Sequence, residues 1–395
     1  MASTTKPTTL DPLDFLAIDA LLDEEERAIR DTVRQFVRER IVPEVGEWFE
    51  QGILPREIVQ EIAQLGLFGM HLDGYGLPGA SAVAYGLTCL ELEAGDSGVR
   101  SLVSVQGSLA MFAIWKWGSE EQKQRWLPPM HTGEAIGCFG LTEPDAGSDP
   151  GSMRTTARRD GSDWILNGAK MWITNGTVAD VAVVWARTEE GAINGFLVER
   201  GTPGFEAPEM HHKISLRASV TSELVLHDVR VPEESRFPEV STLRGPLSCL
   251  NEARYGIVWG SMGAARSALA SALNYAQQRE QFGRPIAGFQ LTQAKLADMA
   301  VEYAKGVLLA LHLGRRKDAG SLLSEHVSLG KLNNVREALE ICRSARTVLG
   351  ANGISLEYPV IRHMTNLESV LTYEGTVEMH TLVVGQAMTG FSAFR

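Results

Sequence analysis

Trp164-Ile165-Leu166-Asn167-Gly168-Ala169-Lys170-Met171-Trp172-Ile173-Thr174 is the stretch on which the fold turns. Its two apolar runs flank Asn167-Gly168, a dipeptide that favours a tight hairpin turn. Val181 to Arg187 is rich in β-branched and aromatic residues, and Phe196-Leu197-Val198 and Leu224-Val225-Leu226 read as further short strands, with Val229 to Val231 as another. Short strands punctuated by Gly, Asn and Pro predict a middle β-domain over 133–238, a small antiparallel barrel or sandwich.

Outward from this block the period changes to that of helices. Upstream, Asp23 is placed to cap a helix with Glu26 three residues on, and Ile29, Val33, Phe36 and Val37 share one face. Pro43 ends that helix, Ile58, Ile62 and Leu65 repeat the spacing after Pro55, and apolar helical stretches follow through Leu90 and Leu92 and from Ser108 to Trp117. Downstream, Leu269, Leu273 and Ala276 recur on a face ending near Arg279. Leu296, Met299, Val301 and Leu308 lie in a long periodic stretch, and Val335, Leu339 and Cys342 form the next. Consecutive long helices with short breaks predict a four-helix bundle. The expected order is an N-terminal helical domain (1–132), the β-domain, and a C-terminal helical bundle (239–395): a mainly α chain with a β insert.

The composition suits such a chain: 395 residues, 44% of them hydrophobic, with a formal net charge of −12. That balance argues against general nucleic-acid binding, which needs a basic footprint. No apolar run approaches the ~18 residues of a membrane span. Cys89, Cys138, Cys249 and Cys342 are scattered with no C-x-x-C pair, so neither a zinc site nor a disulfide framework is expected. The stretch up to Leu22 is Thr-rich and then acidic, without a transit-peptide or secretory pattern, which fits a bacterial cytoplasm or a processed protein of the mitochondrial matrix.

Two further segments carry chemistry. Tyr373-Glu374-Gly375-Thr376 sets a carboxylate beside a glycine, where a backbone can approach a ligand closely. Leu141-Thr142-Glu143-Pro144-Asp145-Ala146-Gly147-Ser148-Asp149 gathers hydroxyls and turn residues after an apolar entry, as a loop cradling a polar ring would. Taken singly, each residue has a plain alternative: Glu374 as a solvated glutamate, and Arg100 as the structural ion-pair partner of Glu93, two helical turns before it. Gly74, Gly76 and Gly79 spell G-x-G-x-x-G, but a helical segment precedes them and Pro78 interrupts them, so an interhelical loop is expected. Adjacent His211 and His212 diverge and predict no metal site.

Taken together, and with Arg100-Ser101, Ser104-Val105-Gln106, Cys138-Phe139-Gly140, Arg217-Ala218-Ser219 and Ala253-Arg254-Tyr255-Gly256-Ile257, these segments form a collinear set from about Leu22 to Phe394. The chain resembles the acyl-CoA dehydrogenase family, and within it the glutaryl-CoA dehydrogenases. The resemblance implies the family's three-domain fold, a homotetramer, and one FAD per subunit. It also implies an acyl-CoA substrate and electron-transfer flavoprotein as electron acceptor.

Residue by residue, it implies that Phe139, Leu141, Thr142 and Ser148 line the flavin, with Ser148 also meeting the CoA. Trp172, Ile173 and Thr174 would lie against the isoalloxazine. Arg279, Phe282 and Gln290 would hold the pyrophosphate and adenine side across a subunit interface, and Thr347, Gly350, Ala351, Thr376 and Phe394 would complete the FAD site. Leu247, Asn251 and Arg254 would pass along the acyl-CoA. Glu374 would be the general base, flanked by Tyr373 and Gly375, and Arg100, held by Glu93 and assisted by Ser101 and Ser104, would receive a distal carboxylate. The implied reaction is α,β-dehydrogenation of glutaryl-CoA with decarboxylation to crotonyl-CoA.

Val99, Gly107, Glu252 and Thr347 depart from the usual glutaryl pattern, which leaves another dicarboxylyl-CoA or a short straight-chain acyl-CoA as alternatives. An oxidase of the same fold and a catalytically silent CoA-binding scaffold are the rival readings.

Overall fold

The computed structural model describes residues 10–394; Arg395 and residues 1–9, on which the reading of the N-terminal stretch partly rests, lie outside it. The first helices are α1 (Glu24–Phe36), α2 (Val45–Gln51), α3 (Arg56–Gln64), α4 (Ala82–Gly95), α5 (Ser97–Ser104), α6 (Phe112–Trp117) and α7 (Glu120–His131). α1 begins where predicted: the Glu26 amide donates to the Asp23 carboxylate at 2.8 Å, and the Asp23 amide donates back to Glu26 at 3.0 Å. Helical geometry stops at Ile41, ahead of Pro43. Ile58 and Ile62 are buried, but Leu65 caps α3 and is exposed. A wide helical turn over Val105–Met111 joins α5 to α6, so one rod runs from Ser97 to Trp117.

Gly74 and Gly76 sit in a small hairpin of β1 (Asp73–Gly74) and β2 (Leu77–Pro78), with Gly74, Tyr75 and Gly76 at φ of 73°, 54° and 80°. It is an interhelical loop, as expected.

The middle strands are β3 (Gly137–Gly140), β4 (Thr156–Asp160), β5 (Asp163–Thr174), β6 (Val181–Thr188), β7 (Ile193–Glu199), β8 (Phe205–Glu206) and β9 (Thr221–Pro232). They form one sheet ordered β3-β6-β4-β5-β9-β8, with β7 also on β6. Three details differ from expectation. Asn167-Gly168 is not a turn: β5 runs through it, and the register against β9 shifts between Leu166 and Gly168. The dipeptide makes a β-bulge because Gly168, at φ 149°, lies where a Cβ would come within 2.5 Å of Thr155 Oγ1. The hairpin turn falls instead at Gly161.

Leu224–Leu226 and Val229–Val231 are two halves of β9, kinked at Asp228 (φ 49°). Asn167 bridges that kink, donating to and accepting from Asp228 at 2.9 Å each. Finally, β6 runs parallel to β3 and β4, so the sheet is mixed, not antiparallel.

Val181 to Ala186 are all buried because both faces of β6 are covered. Val181, Val183 and Trp185 join the core of the helices, while Ala182, Val184 and Ala186 face a separate core inside the curved sheet.

The last block comprises α8 (Arg244–Gln278), a hairpin of β10 (Glu280–Gln281) and β11 (Arg284–Pro285), α9 (Gln290–Asp318), α10 (Ser324–Leu349), α11 (Pro359–Thr372) and α12 (Val377–Thr389). α8 packs along both α4 and α10, so the N- and C-terminal helices share one core. Met299 is buried, but Val301, two residues on and so about 200° round the helix, points outward with Leu308.

Gly168→Ala is expected to destabilise the protein by about 1–3 kcal/mol through crowding at the bulge. Urea unfolding measures this; an unchanged midpoint would contradict the assignment of the bulge.

Candidate active site

Asp96 fixes the frame. It caps α5, accepting from the Gly98 amide at 2.6 Å, and it also pairs with Arg362 and accepts from Asn366 at 2.9 Å. The helix carrying Arg100 is thereby bolted to α11, which leads into Tyr373-Glu374.

Arg100 is fully buried. Its Nε donates to Glu93 at 2.7 Å, and its Nη2 donates to the Tyr373 hydroxyl. Ser97 Oγ donates to the other Glu93 oxygen at 2.9 Å. Space for this pair comes from Gly260 on α8, where a Cβ would overlap Glu93 Oε2. Ser104, four residues after Arg100, shares its face, and its buried hydroxyl has no partner among the described residues. Ser101 is buried too but one residue on, off that face.

Glu374 occupies the left-handed region, at φ 52°. Its Oε2 is buried without a hydrogen-bond partner among the described residues. Burial pushes its carboxyl above the ordinary range, and Arg100, Lys331 and Arg254 pull it partly back. Its amide also donates to nothing among the described residues. Three consecutive carbonyls here are held: Tyr373 and Gly375 accept from Lys331 Nζ at 2.8 and 2.7 Å, and Glu374 accepts from Arg254 Nε at 2.6 Å.

Leu247, Asn251 and Arg254 follow at i, i+4 and i+7 on α8, one face descending from an exposed end to Glu374, with Arg254 donating to Asn251 at 3.2 Å. The cluster thus gathers three basic groups, Arg100, Arg254 and Lys331, around two carboxylates, Glu93 and Glu374, with burial pushing the Lys331 pKa down to about 7.

The second group lies on the sheet. Lys170, buried on β5, donates to Glu143 at 2.7 Å and to the Leu141 carbonyl at 3.2 Å, while Glu143 accepts from the Arg154 and Thr155 amides at 2.6 and 3.0 Å. The Met171 amide donates to the Thr142 carbonyl at 2.9 Å. These bonds lock the 141–149 loop against β5. Phe139 and Leu141 are buried beneath it, leaving the amides of Thr142, Gly147 and Ser148 without acceptors among the described residues. Beside them Trp172, at φ 65°, stands 58% exposed, followed by buried Ile173 and half-buried Thr174. A flat aromatic surface next to free amide donors fits a planar, hydrogen-bonding ring.

The third group is not brought to the first two within one chain. Phe282 stands 94% exposed at the tip of the β10–β11 hairpin, near exposed Arg279 and Gln290, and Thr347, Gly350, Ala351 and Phe394 are exposed as well. Thr376 instead adjoins Glu374, capping α12 by accepting from the Met379 amide at 3.3 Å.

Two of the sequence departures have local causes. A Cβ at Gly107 would come within 2.8 Å of the Gly69 amide nitrogen, so backbone contact demands glycine there. Glu252 pairs with Lys317 at 2.7 Å and so carries no uncompensated charge. Among the described residues no cluster suits a metal ion, and no helix is long and apolar enough to cross a membrane.

Comparison with known proteins identifies the family. The acyl-CoA dehydrogenase N-terminal, middle and C-terminal domains match residues 23–134, 138–229 and 244–389. A crystal structure of glutaryl-CoA dehydrogenase from Mycobacterium smegmatis is 67% identical, with a TM-score of 0.96, covering 98% of this chain and 100% of that one. A second, of a glutaryl-CoA dehydrogenase from the same organism in complex with FADH2, is 62% identical with the same TM-score and coverage. The short-chain-specific acyl-CoA dehydrogenase of Megasphaera elsdenii is 34% identical over 381 residues, 94% of this chain and all of that protein. The chain belongs to the acyl-CoA dehydrogenase family.

Gly260→Ala should unseat the Glu93–Arg100 pair and lower stability by about 2–3 kcal/mol, read from thermal unfolding. A wild-type melting temperature would mean that α8 yields without disturbing the pair.

Proposed function

We propose that this protein is a glutaryl-CoA dehydrogenase, with Glu374 as the catalytic base and Arg100 as the receptor for the distal carboxylate. The observation that carries the reading is the buried Arg100 guanidinium meeting Tyr373, next to a Glu374 carboxylate oxygen with no partner. The charge balance supports it too: below about pH 7, where Lys331 is protonated, basic groups outnumber carboxylates, and a substrate ending in a carboxylate supplies the missing negative charge, whereas a neutral acyl tail leaves the imbalance in place.

In this reading the acyl-CoA lies along Leu247, Asn251 and Arg254, and its thioester carbonyl accepts from the Glu374 amide. That hydrogen bond stabilises negative charge developing on the oxygen as the α-carbon loses its proton. Glu374 Oε2 takes the proton, and the C–H electron pair moves into the thioester. FAD, held by the 141–149 loop and Trp172 to Thr174, supplies the acceptor for the β-hydride.

The oxidised product carries its carboxylate where loss of CO2 is electronically favoured, and protonated Glu374 can return its proton to give crotonyl-CoA. The exposed positions Arg279, Phe282, Gln290, Thr347, Gly350, Ala351 and Phe394 would complete the cofactor site of a neighbouring copy in a homotetramer. Electron-transfer flavoprotein is the proposed acceptor; stoichiometric hydrogen peroxide would identify an oxidase instead.

Arg100→Ala should lower kcat/KM for glutaryl-CoA by about 10²-fold or more while changing butyryl-CoA far less, the cost of leaving one buried charge unpaired. Equal losses on both substrates would remove the carboxylate role. Glu374→Gln should keep FAD and lose α-proton removal, followed as solvent deuterium entering the α-carbon; retained exchange would place the base elsewhere. Because the base must be ionised and burial raises the Glu374 pKa, kcat/KM should rise with pH through a midpoint above the ordinary carboxylate range. A midpoint at about pH 4, where an unperturbed glutamate ionises, would contradict that environment.

A further inference from the structure

Lys331 is a buried cation that the reaction as described does not use. It projects from the second turn of α10 and is 2% exposed. Its ammonium donates to the carbonyls of Tyr373 and Gly375, the two residues that bracket Glu374, and lies 5.9 Å from the centre of the Tyr373 ring. Such a burial is costly, and an apolar side chain would fill the space at less expense.

What it meets is a backbone that needs holding. Glu374 at φ 52° and Gly375 at φ 103° form a turn that a glutamate does not favour. Beneath it, His380 packs so closely that a Cβ on Gly375 would come within 2.7 Å of its Nε2.

We infer that Lys331 is a positioning residue for the base: by gripping the carbonyls on either side, its ammonium holds Glu374 in this turn and aims the carboxylate at the α-carbon. The inference deepens the proposed function and rests on Glu374 being the base. A point donor with three protons can serve two carbonyls converging from one side, which a planar guanidinium does less well. Burial pushes the Lys331 pKa down to about 7, so below that pH the ammonium also keeps a positive charge near Glu374. The other titratable or charged groups facing that carboxyl are Arg254 from α8, Arg100 from α5, His380 from α12 and Tyr373 beside it; burial and the neighbouring cations hold His380 neutral. The plainer alternative is that Lys331 merely caps the end of α11.

The test uses flavin-loaded Lys331→Met and Lys331→Arg. The probe is a glutaryl-CoA analogue with sulfur in place of the β-methylene, which has an α-proton to lose but no β-hydride. In Lys331→Met, solvent deuterium should enter the α-carbon about 10²-fold more slowly, because a misplaced base loses near-attack geometry. Affinity for the analogue should stay within about twofold, since its binding contacts remain. The pH midpoint of exchange should move upward as a cation leaves Glu374, and Lys331→Arg should restore part of both losses.

Exchange within about threefold of wild type at an unchanged midpoint, with only a lower melting temperature, would reduce Lys331 to a cap and overturn the inference. Should Lys331→Met fail to load flavin, Lys331→Gln, which keeps one pair of donors, is read by the same criteria. Exchange that persists in Glu374→Gln is a different failure: it sinks the assignment of the base itself.

Discussion

Charge buried inside the protein governs this molecule. Arg100, Arg254 and Lys331 are drawn together with Glu93 and Glu374 where α4, α5, α8, α10 and the α11–α12 junction meet. Ions in such a place survive only if each finds partners, and breaking one contact leaves its partner stranded. Much of the surrounding sequence answers that demand. Gly260 makes room, Ser97 satisfies a carboxylate oxygen, and Asp96 bolts α5 to α11. Among the described residues, Glu374 Oε2, the Glu374 amide, the Ser104 hydroxyl and the ring nitrogens of His380 lack partners within the cluster. The arrangement is finished structurally and open chemically at the positions where a substrate would enter.

The order of helices, sheet and bundle was legible because burial period is written locally. Asp23 and Glu26 announce a helix start within four residues, and Val181 to Ala186 announce a strand covered on both faces. Asn167-Gly168 misled because the same dipeptide serves a turn or a bulge, and Thr155 and Asp228 decide between them from other strands. The parallel pairing of β6 with β3 depends on how the chain crosses the sheet, which no local pattern encodes. Val301 and Leu308 looked like core residues, but their angular position round α9 sends them outward.

The site divides along the same line. Glu374, Arg100, Glu93 and the 141–149 loop could be picked out because they stand in short, unusual contexts and resemble a known family's segments. Lys331, Gly260 and Lys170 went unnoticed. A lysine in a helix normally faces water, and nothing within a few residues of Lys331 shows that its ammonium reaches carbonyls 42 and 44 positions away. Lys170 carried a weak signal, as a charged residue inside an apolar strand that had to be buried with a partner, but four upstream aspartates stand nearer in sequence than Glu143, which the fold selects.

The central claim is that one end of the substrate is held by Arg100 while its α-carbon faces Glu374. A crystal structure of the flavin-loaded protein with an unreactive glutaryl-CoA analogue tests this most directly. The account predicts the distal carboxylate hydrogen-bonded to the Arg100 guanidinium, the thioester oxygen on the Glu374 amide, and Glu374 Oε2 against the α-carbon. A distal carboxylate lying in solvent, or Glu374 turned away from the acyl chain, would contradict it.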